Sequence, residues 1–403
     1  MLSLSRRVML ASTFAWIGAG QVKAASRVTL KGLELIPVRA TERTAWLIVR
    51  LTTNSGLTGL GEASDAFGFA GTTKQNASRM EAELRRFFGL IDGKSPLDVE
   101  TYRQTGEPLA RGGGLFSATA YSAIEQAMWD LAGQSLEVPT YSLFGGKVRD
   151  RLPVYANINR ATKPRTPQGF AATARRAQAE GFSSFKAAVF DGFPKPGSSA
   201  AEVAGAIESG ISSVAAIREA IGSKAELMID CHSFFNVQMA QDVARKLEAY
   251  NLAWYEEPVP PERIEDTLEI RKGIRQPMAG GEILFGVSGF APLCRNHAVQ
   301  VIMPDVKHCG GLLEMTRIAA MAKVDQVAVA PHNPSGPVAT AASVQVCAGM
   351  ENFRILELQW GEVDWRGELI SPVERFEKGQ IAVPSGSGFG VRLNEKLARA
   401  HSF

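Results

Sequence analysis

Two hydrophobic periodicities alternate along most of this chain. From residue 154 onward, short apolar runs of strand character recur at 154–157, 184–188, 227–230, 253–255, 278–280, 301–303, 327–330 and 353–358. Between them lie stretches whose apolar residues return at helical spacing, at 170–180, 205–221, 240–250, 264–273, 312–324 and 338–350. Strand and helix taking turns predicts parallel strands joined by crossover helices, and eight such strands predict closure into a (β/α)8-type TIM barrel. An open, doubly wound sheet is the alternative, weakened because no Gly-x-Gly-x-x-Gly follows the first strand. One or more of the connections carry no readable pattern.

Ahead of this region the pattern is different. Residues 28–38 and 45–52 read as strands, followed by an Asn54-Ser-Gly56 turn and a return strand over 58–62. Residues 66–73 are small and aperiodic and read as a loop. Helical spacing returns over 75–88 and 118–132, with Gly112-Gly-Gly114 as a flexible point between them. The glycine pair, charges and proline of residues 143–153 read as a boundary. This divides the chain into an N-terminal α+β capping domain (25–150), a barrel (151–360) and a C-terminal tail (361–403) expected to fold back onto the cap. Residues 1–24 stand apart. Arg6-Arg7 precedes an apolar run over 9–20 and a small-residue site at Val22-Lys-Ala24, the pattern of a twin-arginine signal peptide. Use of that signal would make the protein periplasmic or exported; otherwise it is cytoplasmic. The run is too short to be a stable membrane anchor.

Composition narrows the class. A chain of 403 residues with 45% hydrophobic content and 39 glycines fits a soluble globular enzyme of two domains. The net charge of +3 is spread along the chain, and no basic patch interleaved with aromatics argues for nucleic acid. The four cysteines are far apart, which suggests neither a zinc site nor a disulfide framework.

Three apolar runs lead into carboxylates. Asp230, Glu256 and Glu282 follow successive strand-like runs, each 26 residues from the next. A strand, a helix and two loops occupy about that length in a parallel fold, so adjacent strands would deliver the three side by side. Three hard oxygen ligands suit Mg²⁺, which keeps other positions for water or substrate oxygens. The remaining strand ends add chemistry. Lys186, at the second, can bury its stem and hold its ammonium over an anionic substrate. His232, two residues past Asp230, faces the same side if the strand persists. Asp305 and His332 end the sixth and seventh runs, and a histidine facing a carboxylate one strand away makes a base. Glu357 ends the eighth, and His308 closely follows the sixth. A divalent cation, Lys186 and His232 together would hold an anion whose charge grows during reaction, as when a carboxylate loses its α-proton to His332 and becomes an enediolate. His232 is then free to protonate a departing hydroxyl.

Residues 26–403 carry these motifs in combination: Asp230, Glu256 of the Glu-Glu-Pro, Glu282 of the Gly-Gly-Glu, the Asp305 and His332 pair, and Glu357. In this they resemble the enolase superfamily, specifically its mandelate racemase-like group. The resemblance implies one Mg²⁺ per active site on Asp230, Glu256 (rather than Glu257) and Glu282. It implies Asp305–His332 as general-base dyad, Glu357 hydrogen-bonded to the substrate carboxylate, and a cap that closes residues 66–73 over an enolase-like barrel. Racemases of the group carry Lys-x-Lys on the second barrel strand; here the place reads Lys186-Ala187-Ala188 and the second lysine is missing. Muconate cycloisomerases need a lysine where His308 stands, and Lys307 is out of register. Asp230-Cys-His232 is similar instead to the galactonate dehydratase type, in which the histidine is the general acid. Lys186 remains the partner of the substrate carboxylate. The resemblance thus implies a lyase, an acid-sugar dehydratase acting on an aldonate or aldarate, and a homo-oligomer is expected. The alternatives are an epimerase, racemase or cycloisomerase using the same enediolate, and a non-catalytic sugar-acid binding protein.

Overall fold

The computed structural model describes residues 28–68 and 71–403, so the expected signal segment lies outside the described residues, as do two positions of the 66–73 loop. Strands β1 (Leu30–Arg39), β2 (Ala45–Thr53) and β3 (Thr58–Glu62) form an antiparallel sheet in chain order. On it pack α1 (Lys74–Phe88), α2 (Val99–Gly112) and α3 (Gly114–Ser135). Thr73 starts α1 by accepting the Asn76 N–H. The apolar, nearly all-round buried α3 lies between this sheet and the barrel. A Cβ at Gly59 or Gly61 would run into the carbonyl oxygens of Ala127 and Ala123 on α3, so helix and strand meet backbone to backbone. No helix was predicted over α2, because Gly106, Pro108 and Gly112 interrupt its spacing. Tertiary packing forms it: Tyr102 stacks on Tyr121 at 4.8 Å and donates its hydroxyl to the Tyr121 carbonyl.

The second unit alternates strand and helix throughout: β4 (Arg151–Asn157), α4 (Pro167–Ala179), β5 (Ser184–Ala187), α5 (Ala200–Ile221), β6 (Glu226–Asp230), α6 (Val237–Leu247), β7 (Trp254–Glu256), α7 (Ile264–Lys272), β8 (Met278–Gly280), α8 (Gly286–Arg295), β9 (Val301–Ile302), α9 (Gly311–Val324), β10 (Ala328–Val329), α10 (Pro337–Cys347) and β11 (Leu356–Gln359). The strands pair in parallel from β4 through β10, and β11 pairs with β4. The ring closes between β10 and the approach to β11, through a parallel bridge of Val329 with Phe353. Among the described residues, eight strands thus alternate with seven helices, and the chain leaves β11 for the cap instead of forming an eighth. Helix α8 is the connection that sequence could not resolve, because Gly286, Gly289 and Pro292 hide its spacing. The barrel floor is filled by Tyr155, Met228, Trp254, Met303 and their neighbours, with Tyr155 edge-on to Trp254 at 5.7 Å.

The tail touches both units. Residues β12 (Ile370–Ser371), β13 (Phe376–Glu377), β14 (Gln380–Ala382), β15 (Arg392–Leu393) and α11 (Glu395–Ala400) complete the chain. Trp365 packs edge-on against Trp46 of β2, and Arg39 of β1 donates its N–H to His401 at 2.7 Å. The expectation of a tail lying on the cap is incomplete, since β14 also pairs antiparallel with the start of β4.

Buried carboxylates on the cap join the units. Glu62 accepts the Gly336 and Ala339 N–H groups (2.7 and 2.9 Å) at the start of α10, and Glu125 those of Leu312 and Leu313 (2.7 and 2.9 Å) at the start of α9. Asp130 accepts from Leu60 of β3 and Phe389 of the tail. The first N–H groups of a helix have no partner within it, and the oxygens of these carboxyl groups satisfy them.

Candidate active site

Strand register brings the predicted carboxylates together. Asp230 and Glu256 are paired neighbours at the ends of β6 and β7. Glu282 lies beyond β8 on a loop turned by Gly281 at φ 104°. One oxygen from each of Asp230, Glu256 and Glu282 lies within 4.8 Å of the others. Glu257 holds that loop, accepting the Gly281 N–H at 2.6 Å. Trp254 of the barrel floor donates its indole N–H to Glu256 at 2.8 Å. Glu282 Oε2 is buried without a well-formed hydrogen bond, with His332 Nε2 standing 3.2 Å away, so the acceptor is only partly compensated. Three clustered carboxylates, each with an oxygen turned to the same point, fit a hard divalent cation.

Lys186, at the end of β5, is 1% exposed and sits against this trio. Its ammonium lies 2.8 Å from Glu256, 3.3 Å from Asp230 and 3.2 Å from Glu357. Burial works against its charge, but Glu256 and Glu357 outweigh it and push its pKa well up. Glu357 is fully buried and accepts Asn157 Nδ2 at 2.6 Å and the Asn333 N–H at 2.9 Å. Its carboxyl is held below the usual range, burial being overcome by Lys186 and His332. In this arrangement it organises Lys186 and the residues after β10.

Two histidines flank the trio. His332, after β10, places Nδ1 at 2.7 Å from Asp305 Oδ2 and Nε2 at 3.2 Å from Glu282. Burial opposes its protonation, but Glu282, Glu357 and Asp305 raise its pKa to about 9. Asp305 lies well below the carboxylate range, because Lys307, His308 and His332 overcome its burial. His232 reaches the site by a route different from the one expected. β6 ends at Asp230, and His232 and Ser233 take left-handed backbone, φ 42° and 59°. The turn leaves Nε2 at 3.2 Å from Asp230 and Nδ1 at 2.6 Å from Asp191 Oδ1. Burial is again overcome, here by Asp230 and Asp191, and the pKa rises to about 10. Asp191 had no sequence signal: it stands on a loop after β5, paired with Arg165 at 3.3 Å. His308 is a neutral contact to the cap, with Nδ1 at 2.9 Å from Thr119 Oγ1 and burial lowering its pKa to about 4.

These groups open on a cavity of about 130 Å³ closed from the cap side by Arg43, Asp65 and Leu115 and from the barrel by Arg160 and Ile283. A larger cavity, of about 750 Å³, lies outside the barrel between α2, α8 and α9. Of its arginines, Arg103, Arg111 and Arg317 are paired with glutamates, and it holds none of the carboxylates or histidines described above.

Comparison with known proteins fits this geometry. Residues 24–145 match the mandelate racemase/muconate lactonizing enzyme N-terminal domain, and residues 169–397 the enolase C-terminal domain-like family. The chain belongs to the mandelate racemase-like group of the enolase superfamily. It is similar to a D-xylonate dehydratase of Haloferax volcanii, 32% identical over 88% of this chain and 85% of that one. A D-galactonate dehydratase of Ralstonia pickettii is 31% identical (87% and 90% covered), and a D-gluconate dehydratase of Thermoproteus tenax 33% (92% and 73%). A mandelate racemase/muconate lactonizing enzyme from Sulfitobacter sp. superposes with a TM-score of 0.84 at 28% identity, over 93% of this chain and 96% of that one.

Proposed function

We propose that this protein is a Mg²⁺-dependent dehydratase of sugar acids, converting an aldonate or aldarate to a 2-keto-3-deoxy acid. The observation that carries the reading is the pair of histidines. Each has a carboxylate on Nδ1 and brings Nε2 to a different member of the acidic trio, as a separate base and acid require. Asp230, Glu256 and Glu282 would hold Mg²⁺, whose positive charge makes the α-proton of a nearby carboxylate more acidic. Lys186 adds fixed positive charge beside the substrate carboxylate. His332, with Nδ1–H given to Asp305, keeps its lone pair on Nε2 and takes the α-proton. Compensation of Glu282 by a cation removes part of what raises His332, so the free base becomes available. His232, kept protonated by Asp230 and Asp191, gives its Nε2 proton to the β-hydroxyl as the C–O bond breaks and water leaves. The enol then ketonises. At the place where racemases keep a second basic residue stands Ala188, whose N–H is bonded to Asn159 at 2.6 Å, which favours dehydration over inversion.

The relatives' names supply the panel. Residues 25–403 with Mg²⁺ are incubated with D-galactonate, D-xylonate, D-gluconate and a set of aldarates, with 2-keto acid as the readout and H332N as control. Product that disappears in the control is expected. An isomer of the substrate labelled from D₂O, with no 2-keto acid, would replace dehydration by epimerisation.

A further inference from the structure

Lys307 is a fully enclosed cation to which the chemistry above gives no task. It lies on the turn after β9, two residues past Asp305. Its backbone N–H donates to Asp305 Oδ1 at 2.8 Å and its ammonium to Oδ2 at 2.6 Å. One residue thus grips both oxygens of that carboxylate. Oδ2 keeps one further direction for a donor, and His332 Nδ1 occupies it. The ammonium also donates to Ser335 Oγ, three residues past His332. Asp65 of the cap stands 4.0 Å away. The next residue, Gly336, is fixed by Glu62. Lys307 therefore ties the loop bearing Asp305 to the loop bearing His332. Burying an ammonium is costly and needs close compensation; an apolar side chain would fill the same space without that cost.

We propose that Lys307 is a positioning residue for the general base. It locks Asp305 in the rotation that offers Oδ2 to His332, and so fixes the aim and the tautomer of the imidazole. It does not line the cavity and acts through Asp305 and the Ser335 tie. A free carboxylate on a short loop turns about its terminal bond; one held at both oxygens does not, and misalignment of a reacting group by about 1 Å can cost on the order of 100-fold in rate.

The inference rests on His332 acting as the base, so its test has one arm with substrate and one without. With a C2-deuterated sugar acid from the panel, K307M is expected to lower kcat about 10- to 100-fold, keep KM within about twofold and enlarge the primary isotope effect. S335A, which keeps the charge and removes one tie, should lose about 3- to 10-fold with the same rise in isotope effect. In the substrate-free arm, the downfield Nδ1–H proton signal of His332, assigned by its loss in H332N, should move or broaden in K307M. A shifted signal without turnover on the panel would support the positioning role and count against the proposed reaction instead. If the signal stays where it is in wild type, or if kcat falls with no change in isotope effect, Lys307 is a structural cation and the proposal is wrong. Should K307M fail to fold, S335A decides by the same two readouts.

Discussion

The two histidines beside the acidic trio are held in opposite ways. His332 leans on Asp305, which is fully buried and gripped by Lys307, and the loop that follows it is fixed by Glu62 of the cap. His232 sits on a left-handed turn, leaning on Asp191, which belongs to a loop and is itself shared with Arg165. Its side chain is 19% exposed against 11% for His332. The difference follows what each must reach. The α-carbon lies at a fixed distance from the carboxylate that all sugar acids share, so its base can be built rigidly into the barrel. The leaving hydroxyl lies farther along a chain whose configuration varies, and loops accommodate such variation.

Replacing His232 should break this comparison most severely. H232N is expected to lose on the order of 10²- to 10⁴-fold in 2-keto acid formation, while the α-proton still exchanges with D₂O because the base is untouched. D191N should show the same separation with a smaller loss. Equal loss of exchange and dehydration in H232N would mean that the two histidines do not divide the work.

A second test concerns charge. Both imidazoles have raised values, about 9 for His332 and about 10 for His232, through the carboxylates that would also hold the cation. At His332, which must become a free base, imidazolium and cation therefore compete, and Mg²⁺ binding should expel a proton. Affinity measured by calorimetry should rise with pH up to about 9, by up to about tenfold per unit for each proton released. An affinity that is flat or falls over that interval would show that these histidines are not coupled to the metal carboxylates.

The smallest effect belongs to the cap. Burial raises Glu125 to about 8, against the pull of the Leu313, Leu312 and Trp129 donors. A carboxyl whose folded value exceeds its unfolded value of 4.5 contributes stability that is present at low pH and is lost as pH rises through about 8. E125Q should therefore be less stable than wild type by about 1–3 kcal/mol at pH 5, with the gap narrowing toward pH 9 and kcat unchanged. A gap that widens with pH in denaturant titrations would contradict this ionisation scheme.

Much of this arrangement was legible because a barrel repeats. Each strand-and-helix unit consumes a similar length, so equal spacing exposed Asp230, Glu256 and Glu282, and the apolar runs before Asp305 and His332 marked two more strand ends. What escaped had physical reasons. Helices α2 and α8 carry glycine and proline within their spans and owe their form to neighbours. The placement of His232 was expected from strand alternation, but the strand stops two residues earlier and a turn does the work. Asp191 and Lys307 act through partners distant in sequence or on a turn without period, and no pattern in one chain announces such a pairing.

Across the joint, the glutamates of the cap meet the barrel through backbone N–H groups at the starts of α9 and α10. Every helix offers those donors whatever its sequence. A joint of this kind asks for glycine on the barrel side, since a Cβ at Gly311 would collide with Glu125 and one at Gly336 with Glu62, but it reads no barrel side chain. A cap transplanted from a relative with matching glutamates should seat on this barrel and bring its own substrate preference with it.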